Sequence, residues 1–335
     1  MTNEKFMHFF NSLLVPLQAK APVTMHHIKV PDAVSAEAKH LLDNVKGPSA
    51  AIDISNPKQR QAVRQIFSTL WKSVEAHLDV KFTSAEEQIA GVKCRVFTPD
   101  LVRNSRKKIL YLHGGSYWMG SADANSSVPI SLADKVNLNV ISIDYRLAPE
   151  HPYPAAQQDT IAVYKSLLSS GVAAEDISIV GESAGGGLAL SSAIAIRDLN
   201  LPKPAALGLI SPWTDLSFSG DSHQTNNLYT DPWLSVEGLT GAAKLYAGSA
   251  HITDPGVSPL FGNMTGLPPM LIHVGSREIF LSDATRLARY VRQAGGDATL
   301  DVFEAMWHVW HFYPHVPEGL TAIMEMASFL RSHME

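Results

Sequence analysis

The sequence predicts an α/β protein, a largely parallel sheet covered by helices on both faces, and three observations carry that expectation. From about residue 79 onward, apolar runs of strand length alternate with longer segments of helical periodicity, as expected when successive strands lie side by side in one direction. At Ile177–Gly187 a buried-strand run passes through Gly181-Glu182-Ser183-Ala184-Gly185 into the Ala-rich apolar stretch Leu188–Ile196, so a strand turns sharply into a helix at a serine. Of the 335 residues, 45% are hydrophobic, ample for one large core.

Residues 1–78 read as helical and strand-poor, with helices expected at Phe6–Leu17, Ala33–Leu42 and Pro57–Leu78. The last carries Val63, Ile66, Phe67, Leu70 and Trp71 along one face. Such a segment has no strand to add to a sheet and must pack onto something else. Phe82–Ile89 and Val92–Thr98 form a hairpin turning at Ala90-Gly91. Strand Ile109–Leu112, helix Val128–Lys135, strand Val140–Asp144 and helix Ala155–Leu168 follow, and then the strand that ends at the serine. Beyond it come strands Ala206–Ser211 and Met270–Val274, helix Ala284–Gln293, strand Ala298–Phe303 and a closing helix Leu320–Ser332. The stretch between Ser211 and Pro269 carries Trp213, Tyr229, Trp233, Leu234 and Tyr246, with turn signals at Asp231-Pro232 and Asp254-Pro255. It is too long for a plain loop and is expected to lay a helix or two over the top of the sheet.

A formal net charge of −5 and a pI near 6.3 leave no electrostatic footprint for nucleic acid or an anionic membrane. The single cysteine, Cys94, cannot build a disulfide framework within one chain, and inside an apolar strand it reads as a small buried hydrophobe. Phe6, Phe9, Phe10, Leu13, Leu14 and Leu17 recur at helical spacing, and His8, Asn11 and Pro16 interrupt the run, as in an amphipathic helix and not a signal peptide. No run approaches the ~18 uninterrupted apolar residues of a membrane span. A cytoplasmic location without a membrane span is the expectation.

The chemistry begins at Gly-x-Ser-x-Gly. Between a strand and a helix this is the nucleophile elbow of the α/β-hydrolases, with Ser183 on a strained turn and Ala184 offering its N–H at the helix N-terminus. His113-Gly114-Gly115-Ser116 directly follows the strand Ile109–Leu112. Glycines there leave backbone N–H groups unscreened, so Gly114, Gly115 and Ala184 are the expected oxyanion-hole donors. Asp144-Tyr145-Arg146-Leu147-Ala148-Pro149-Glu150, continuing through His151-Pro152-Tyr153-Pro154 to Asp159, reads as a proline-stiffened support for the site.

These motifs, His-Gly-Gly-Ser, Asp-Tyr-Arg-Leu-Ala-Pro-Glu and Gly-Glu-Ser-Ala-Gly-Gly, resemble the bacterial hormone-sensitive-lipase-like esterases, a branch of the α/β-hydrolases, in order from about Phe97 to Phe312. Ser211-Pro212-Trp213-Thr214-Asp215 and Asp254-Pro255-Gly256-Val257-Ser258-Pro259-Leu260 resemble a group within it labelled carboxylesterases or ε-lactone hydrolases. The resemblance implies an eight-stranded α/β-hydrolase domain over 79–211 and 261–335, capped by the N-terminal segment 1–78 and the insertion 212–260. It also implies small ester substrates with short or medium acyl chains, no cofactor, and a homodimer through an edge strand, common in that family.

The base is expected late in the chain, in the order Ser, acid, His. His308, in Glu304-Ala305-Met306-Trp307-His308-Val309-Trp310, stands where that family's catalytic histidine falls, with His311 as its rival. The two histidines lack the carboxylate and third ligand a catalytic zinc would want, so no metal is expected. For the acid, Glu278 occupies the position where the family usually has aspartate, and Glu278-Ile279-Phe280-Leu281 departs from its Asp-Pro-Leu pattern. Asp283 is the alternative, read otherwise as the cap of a helix starting at Ala284. Glu182 reads as a supporting carboxylate beside the nucleophile, and Tyr117 and Trp213 as substrate-pocket residues. The whole constellation predicts a serine carboxylesterase. Lactone hydrolysis or amide deacetylation on the same residues, or a non-catalytic receptor, are the alternatives.

Overall fold

The computed structural model describes residues 29–44, 53–75, 78–102, 106–227, 230–313 and 315–334. The helix expected at Phe6–Leu17, Tyr229, and the side chains of Leu70 and Trp71 lie outside that description. Eight strands form one sheet in the order β1-β2-β4-β3-β5-β6-β7-β8. They are β1 (Phe82–Ile89), β2 (Val92–Pro99), β3 (Lys108–Leu112), β4 (Asn139–Ile143), β5 (Ile177–Glu182), β6 (Leu207–Ile210), β7 (Met270–Gly275) and β8 (Ala298–Phe303). β1 and β2 run antiparallel at one edge, and the remaining six are mutually parallel.

The hairpin turns as its sequence suggests: Ala90 and Gly91 both take positive φ, 52° and 79°, the handedness that matches strand twist in a two-residue loop. β3 to β7 are almost wholly buried because helices cover both faces. α1 (Ala36–Asn44), α3 (Ser127–Val136) and α9 (Pro317–His333) share one core with Ile109, Tyr111, Val140 and Val180. α4 (Ala155–Ser169), α5 (Ala184–Asp198) and α8 (Leu281–Gln293) share the other with Leu110, Leu112, Ile177 and Ile179. Alternate residues of one strand thus feed opposite cores, the period-two rule of a sheet covered twice. The chain leaves β3 through α3 toward β4 and leaves β5 through α5 toward β6, in opposite directions along the sheet. Adjacent strands with diverging crossovers mark the switch point where such sheets bind ligands, at the carboxyl ends of β3 and β5.

Observed elements match the expected ones with ends shifted by up to about three residues, within ordinary fraying. One shift matters. α8 starts at Leu281, one turn earlier than expected, so Asp283 lies inside its first turn and Phe280 holds the capping position. The 212–260 insertion contributes a short helix α6 (Ser222–Thr225) and α7 (Val236–Ala247). α7 starts where the Ser235 hydroxyl accepts the Gly238 N–H, 3.1 Å away. α2 (Pro57–Glu75) docks through arginines: Arg60 and Arg64 both pair with Glu150, and Arg64 also donates to the carbonyls of Trp118 and Ala148. α1 docks through Ser35, whose N–H and hydroxyl both donate to Glu318 at the start of α9.

The Arg64 guanidinium beside Glu150 holds its carboxyl down to about 2. A carboxylate whose folded pKa is depressed contributes stability above its unfolded pKa and loses it as pH falls toward the folded value. Between about pH 4.5 and 2, therefore, α2 loosens from the loop it grips. Glu150→Gln should lower the melting temperature at pH 7 and flatten its dependence on acid over that window. Parallel melting curves for parent and variant across the window would contradict this account.

Candidate active site

Ser183 sits between β5 and α5 with φ 55° and ψ −123°, a conformation few non-glycine residues adopt. The turn is possible because glycines flank it. A Cβ on Gly181 would lie 2.1 Å from the Gly185 carbonyl oxygen, and one on Gly185 would lie 2.0 Å from the Leu112 carbonyl oxygen. Ser183 is itself pinned on both sides, its N–H donating to Ile210 and its carbonyl accepting from Trp213. The helix N-terminus directly after it leaves the Ala184 N–H without an intrahelical partner.

Glu278 and His308 come together. His308 Nδ1 is 2.9 Å from Glu278 Oε2, and Glu278 is fully buried. Its other oxygen accepts from the Ser211 hydroxyl and the Gly275 N–H, each at 2.7 Å. Ser211 in turn accepts the Val309 N–H at 3.1 Å, so one hydroxyl ties the carboxylate to the turn that follows His308. Asp231, also fully buried, accepts from the N–H groups of Trp233, Leu234 and Ile279 and so fixes the insertion beside Glu278. Burial pushes its carboxyl up to about 6, while these backbone hydrogen bonds work the other way. The Phe280 ring stands edge-on to the His308 ring with centroids 5.2 Å apart.

The alternatives lie elsewhere. Asp283 faces away from His308: its Oδ2 accepts from the Thr214 and Asp215 N–H groups, and its Oδ1 lies 2.9 Å from His223 Nε2. It therefore does not cap α8 as expected but fastens the loop after β6. Arg286 lies 2.8 Å from Asp215 and 3.5 Å from Asp283, so a side-chain cation already balances these buried carboxylates. His311 is fully buried, with Nε2 3.0 Å from His273 Nδ1. The left-handed Val309 (φ 52°) reverses the chain between the two histidines, so they do not share one helix face.

The oxyanion loop needs a correction. Gly114 was expected to offer a free N–H, but it donates to Glu182 Oε1 at 2.8 Å. Asn125 Nδ2 donates to the same oxygen at 2.8 Å. The fully buried Glu182 thus holds the loop after β3 from the neighbouring strand, and burial raises its carboxyl to about 7 against these hydrogen bonds. Among the described residues, no partner takes the N–H groups of Gly115, Ser116 or Ala184, so Ser116, which the sequence did not single out, also has a free N–H. Ser116 and Tyr117 have positive φ, 53° and 64°, a run of unusual backbone that the sequence could not announce. Behind this loop, Tyr145 donates to the His113 carbonyl at 2.6 Å and stacks on the His113 ring.

Tyr117 and Trp213, expected in the substrate pocket, pack among other rings of the insertion and of the segment after β7. Both are fully buried: Tyr117 stacks on Tyr246 of α7 at 3.6 Å, and Trp213 lies flat against Phe280 and Phe218. The insertion brings in Tyr246 and Phe218, which close over surfaces that the strand ends alone would leave open. Cys94 is buried as expected, its thiol pushed up to about 12 by burial, and takes no part in the site.

Residues 109–312 match the family model described as the alpha/beta hydrolase fold. Over 239 residues the chain is 40% identical to an acetyl-hydrolase of Streptomyces hygroscopicus, covering 70% of this chain and 80% of that one. The crystal structure of an esterase from the bacterial hormone-sensitive lipase family superposes with a TM-score of 0.78 at 35% identity, covering 82% of this chain and 92% of that one. Esterase E25 superposes over 92% of this chain and 98% of its own, with a TM-score of 0.84 at 28% identity. The chain belongs to the α/β-hydrolase fold family, in its hormone-sensitive-lipase-like branch of bacterial carboxylesterases.

The Glu182 clamp gives a direct prediction. Glutamine keeps an oxygen for the Gly114 and Asn125 donors, and alanine does not. Turnover should stay within about tenfold of the parent in Glu182→Gln and fall by on the order of 10²-fold in Glu182→Ala, as when one oxyanion donor is misplaced. Because the buried acid is raised, its stabilising contribution is present below about pH 4.5 and is lost as pH rises toward 7. Glu182→Gln should therefore remove a loss of melting temperature across that range. Equal turnover in the two variants would contradict the clamp.

Proposed function

We propose that the protein hydrolyses short- to medium-chain carboxylic esters through an acyl-enzyme on Ser183, with His308 as base and Glu278 as the carboxylate that orients it. The observation that carries this reading is the 2.9 Å Glu278–His308 pair, set at strand carboxyl ends beside a serine on a strained strand-to-helix turn. With its Nδ1–H donated to Glu278, the His308 ring keeps Nε2 as the acceptor for the Ser183 proton. Ser183 Oγ attacks the ester carbonyl carbon, and the oxyanion is received by the N–H groups of Gly115, Ser116 and Ala184. Gly114 supports that hole by its bond to Glu182. Collapse breaks the acyl C–O bond, and the alcohol departs with the proton from His308. Water then gives a proton to His308, attacks the acyl carbon and releases the acid, and Ser183 recovers its proton.

Residues 1–78 and 212–260 form the cap in this reading. It is supported by the Arg60 and Arg64 grip on Glu150, the Tyr246–Tyr117 stack and the Arg277 bond to the Lys29 carbonyl. A small acyl site is supported by the rings of Tyr117, Trp213, Phe218 and Phe280 packed behind it, and by the likeness to an acetyl-hydrolase. Small esters are the partners this chemistry calls for. A homodimer would join through the edge strand β8, whose Val302 is exposed. Among the described residues, no helix is long and apolar enough to cross a membrane.

Hydrolysis of p-nitrophenyl esters from acetate to palmitate tests the reading. The parent should prefer the short members, and Ser183→Ala or His308→Ala should each lose roughly 10⁴-fold in turnover, without additivity in the double variant. Glu278→Gln should lose a comparable factor. ε-Caprolactone and a matched anilide separate the lactone and amide variants of the same chemistry. No turnover of any ester by the parent would sink the proposal.

A further inference from the structure

Behind the reacting histidine lies a second imidazole pair that the hydrolysis does not use. His273 in β7 and His311 are both fully buried, their rings 21° from parallel and 5.3 Å between centroids. Burial drives His273 down to about 3 and His311 well below the usual histidine value, so both rings are neutral. One proton is shared between His273 Nδ1 and His311 Nε2, 3.0 Å apart. The outward nitrogen of His273, Nε2, has no hydrogen-bond partner. It points instead between two carboxylates, 3.9 Å from Asp301 Oδ2 and 4.0 Å from Glu325 Oε2. Neither distance is a hydrogen bond.

The three groups come from three elements. Asp301 of β8 pairs in register with His273, and Glu325 belongs to α9. Their three donor atoms lie within 4.8 Å of one another. We propose that His273 Nε2, Asp301 and Glu325 form a binding site for a first-row divalent metal ion of the Zn²⁺ type, clamping β7, the edge strand β8 and α9 together. The donor set argues for that class. A neutral imidazole nitrogen favours Zn²⁺ over Mg²⁺ or Ca²⁺, and the two carboxylates balance the ion's charge. With the ion bound, His311 Nε2 would accept the His273 Nδ1–H across their 3.0 Å contact, the support a metal-bound histidine needs, leaving His273 Nε2 as a bare lone pair for the ion.

Metal–ligand distances of about 2.0–2.2 Å require the donors to close by a few tenths of an ångström. The buried ring is fixed, but the carboxylate side chains are 44% and 47% exposed and free to swing inward. Burial and the Asp301 charge push the Glu325 carboxyl up, a repulsion that a cation between the two groups would relieve.

Calorimetric titration of the chelator-treated full-length protein with Zn²⁺ tests the proposal, using the half-exposed carboxylates so that the fold is spared. The parent should bind one ion per chain and melt at a higher temperature with it. Asp301→Asn and Glu325→Gln should each weaken binding by about tenfold or more. Ester hydrolysis of the two variants in the absence of metal should match the parent. No saturable uptake up to millimolar Zn²⁺, as when water alone bridges the three groups, overturns the proposal. So does an affinity unchanged in both variants, which would place the ion elsewhere, for instance at His308.

Discussion

Everything at the head of this sheet depends on a backbone conformation that Ser183 would not adopt by itself. Holding a non-glycine residue at φ 55° and ψ −123° costs on the order of 1–3 kcal/mol and persists only where the surroundings over-determine it. Here they do. β5 is wholly buried between β3 and β6, and α5 starts so close to the strand that its first turn rests on the end of β3. The same constraint turns a helix N-terminus toward the serine, so a cost borne by the sheet sets a hydroxyl at the strand end beside backbone N–H groups that have no intrahelical partner.

Two buried glutamates serve opposite purposes around that serine, and their partners decide which does what. Glu278 faces an imidazole and is held by a hydroxyl and a backbone N–H, so its negative charge is met on every side. Glu182 faces only neutral donors, and burial lifts it to about 7. The first suits a carboxylate that must steady an imidazolium. The second suits a brace for the loop after β3, since its hydrogen bonds hold that loop whichever proton state the pH sets. Ser211 and Asp231 extend the bracing to the histidine loop and the insertion, making the site a set of loops tied to one another as well as to their strands.

Much of this was legible in the sequence. Apolar strand runs alternating with helical periodicity, Gly-x-Ser-x-Gly between a strand and a helix, and Ala90-Gly91 between two strands are local patterns, and local sterics decide them. The pairing of His308 with Glu278 in place of Asp283 was legible from chain order and from the position after β7. What escaped depends on contacts far apart in sequence. Gly114 loses its free N–H to a carboxylate 68 residues away, and Asp283 is drawn off by His223 across a similar gap. Tyr117 reads as a pocket residue because it follows the oxyanion loop and Trp213 because it follows a strand end; that α7 and Phe280 pack on them is not in the sequence. Ser211 stood out only as the strand end that opens the Ser211–Asp215 motif, and its hold on Glu278 appears only once β6 lies beside β7.

In the proposed reaction Ser183 is the one hydroxyl raised to nucleophilic reactivity, by a histidine that Glu278 holds. Labelling with a small alkyl fluorophosphonate followed by peptide mass spectrometry tests this most directly, because the reagent reports the activated nucleophile without any assumption about the natural ester. The account predicts a single adduct on the peptide carrying Ser183, formed much more slowly in Glu278→Gln and not at all in His308→Ala. An adduct on another residue, or labelling of Ser183 at the parent rate in both variants, would contradict it.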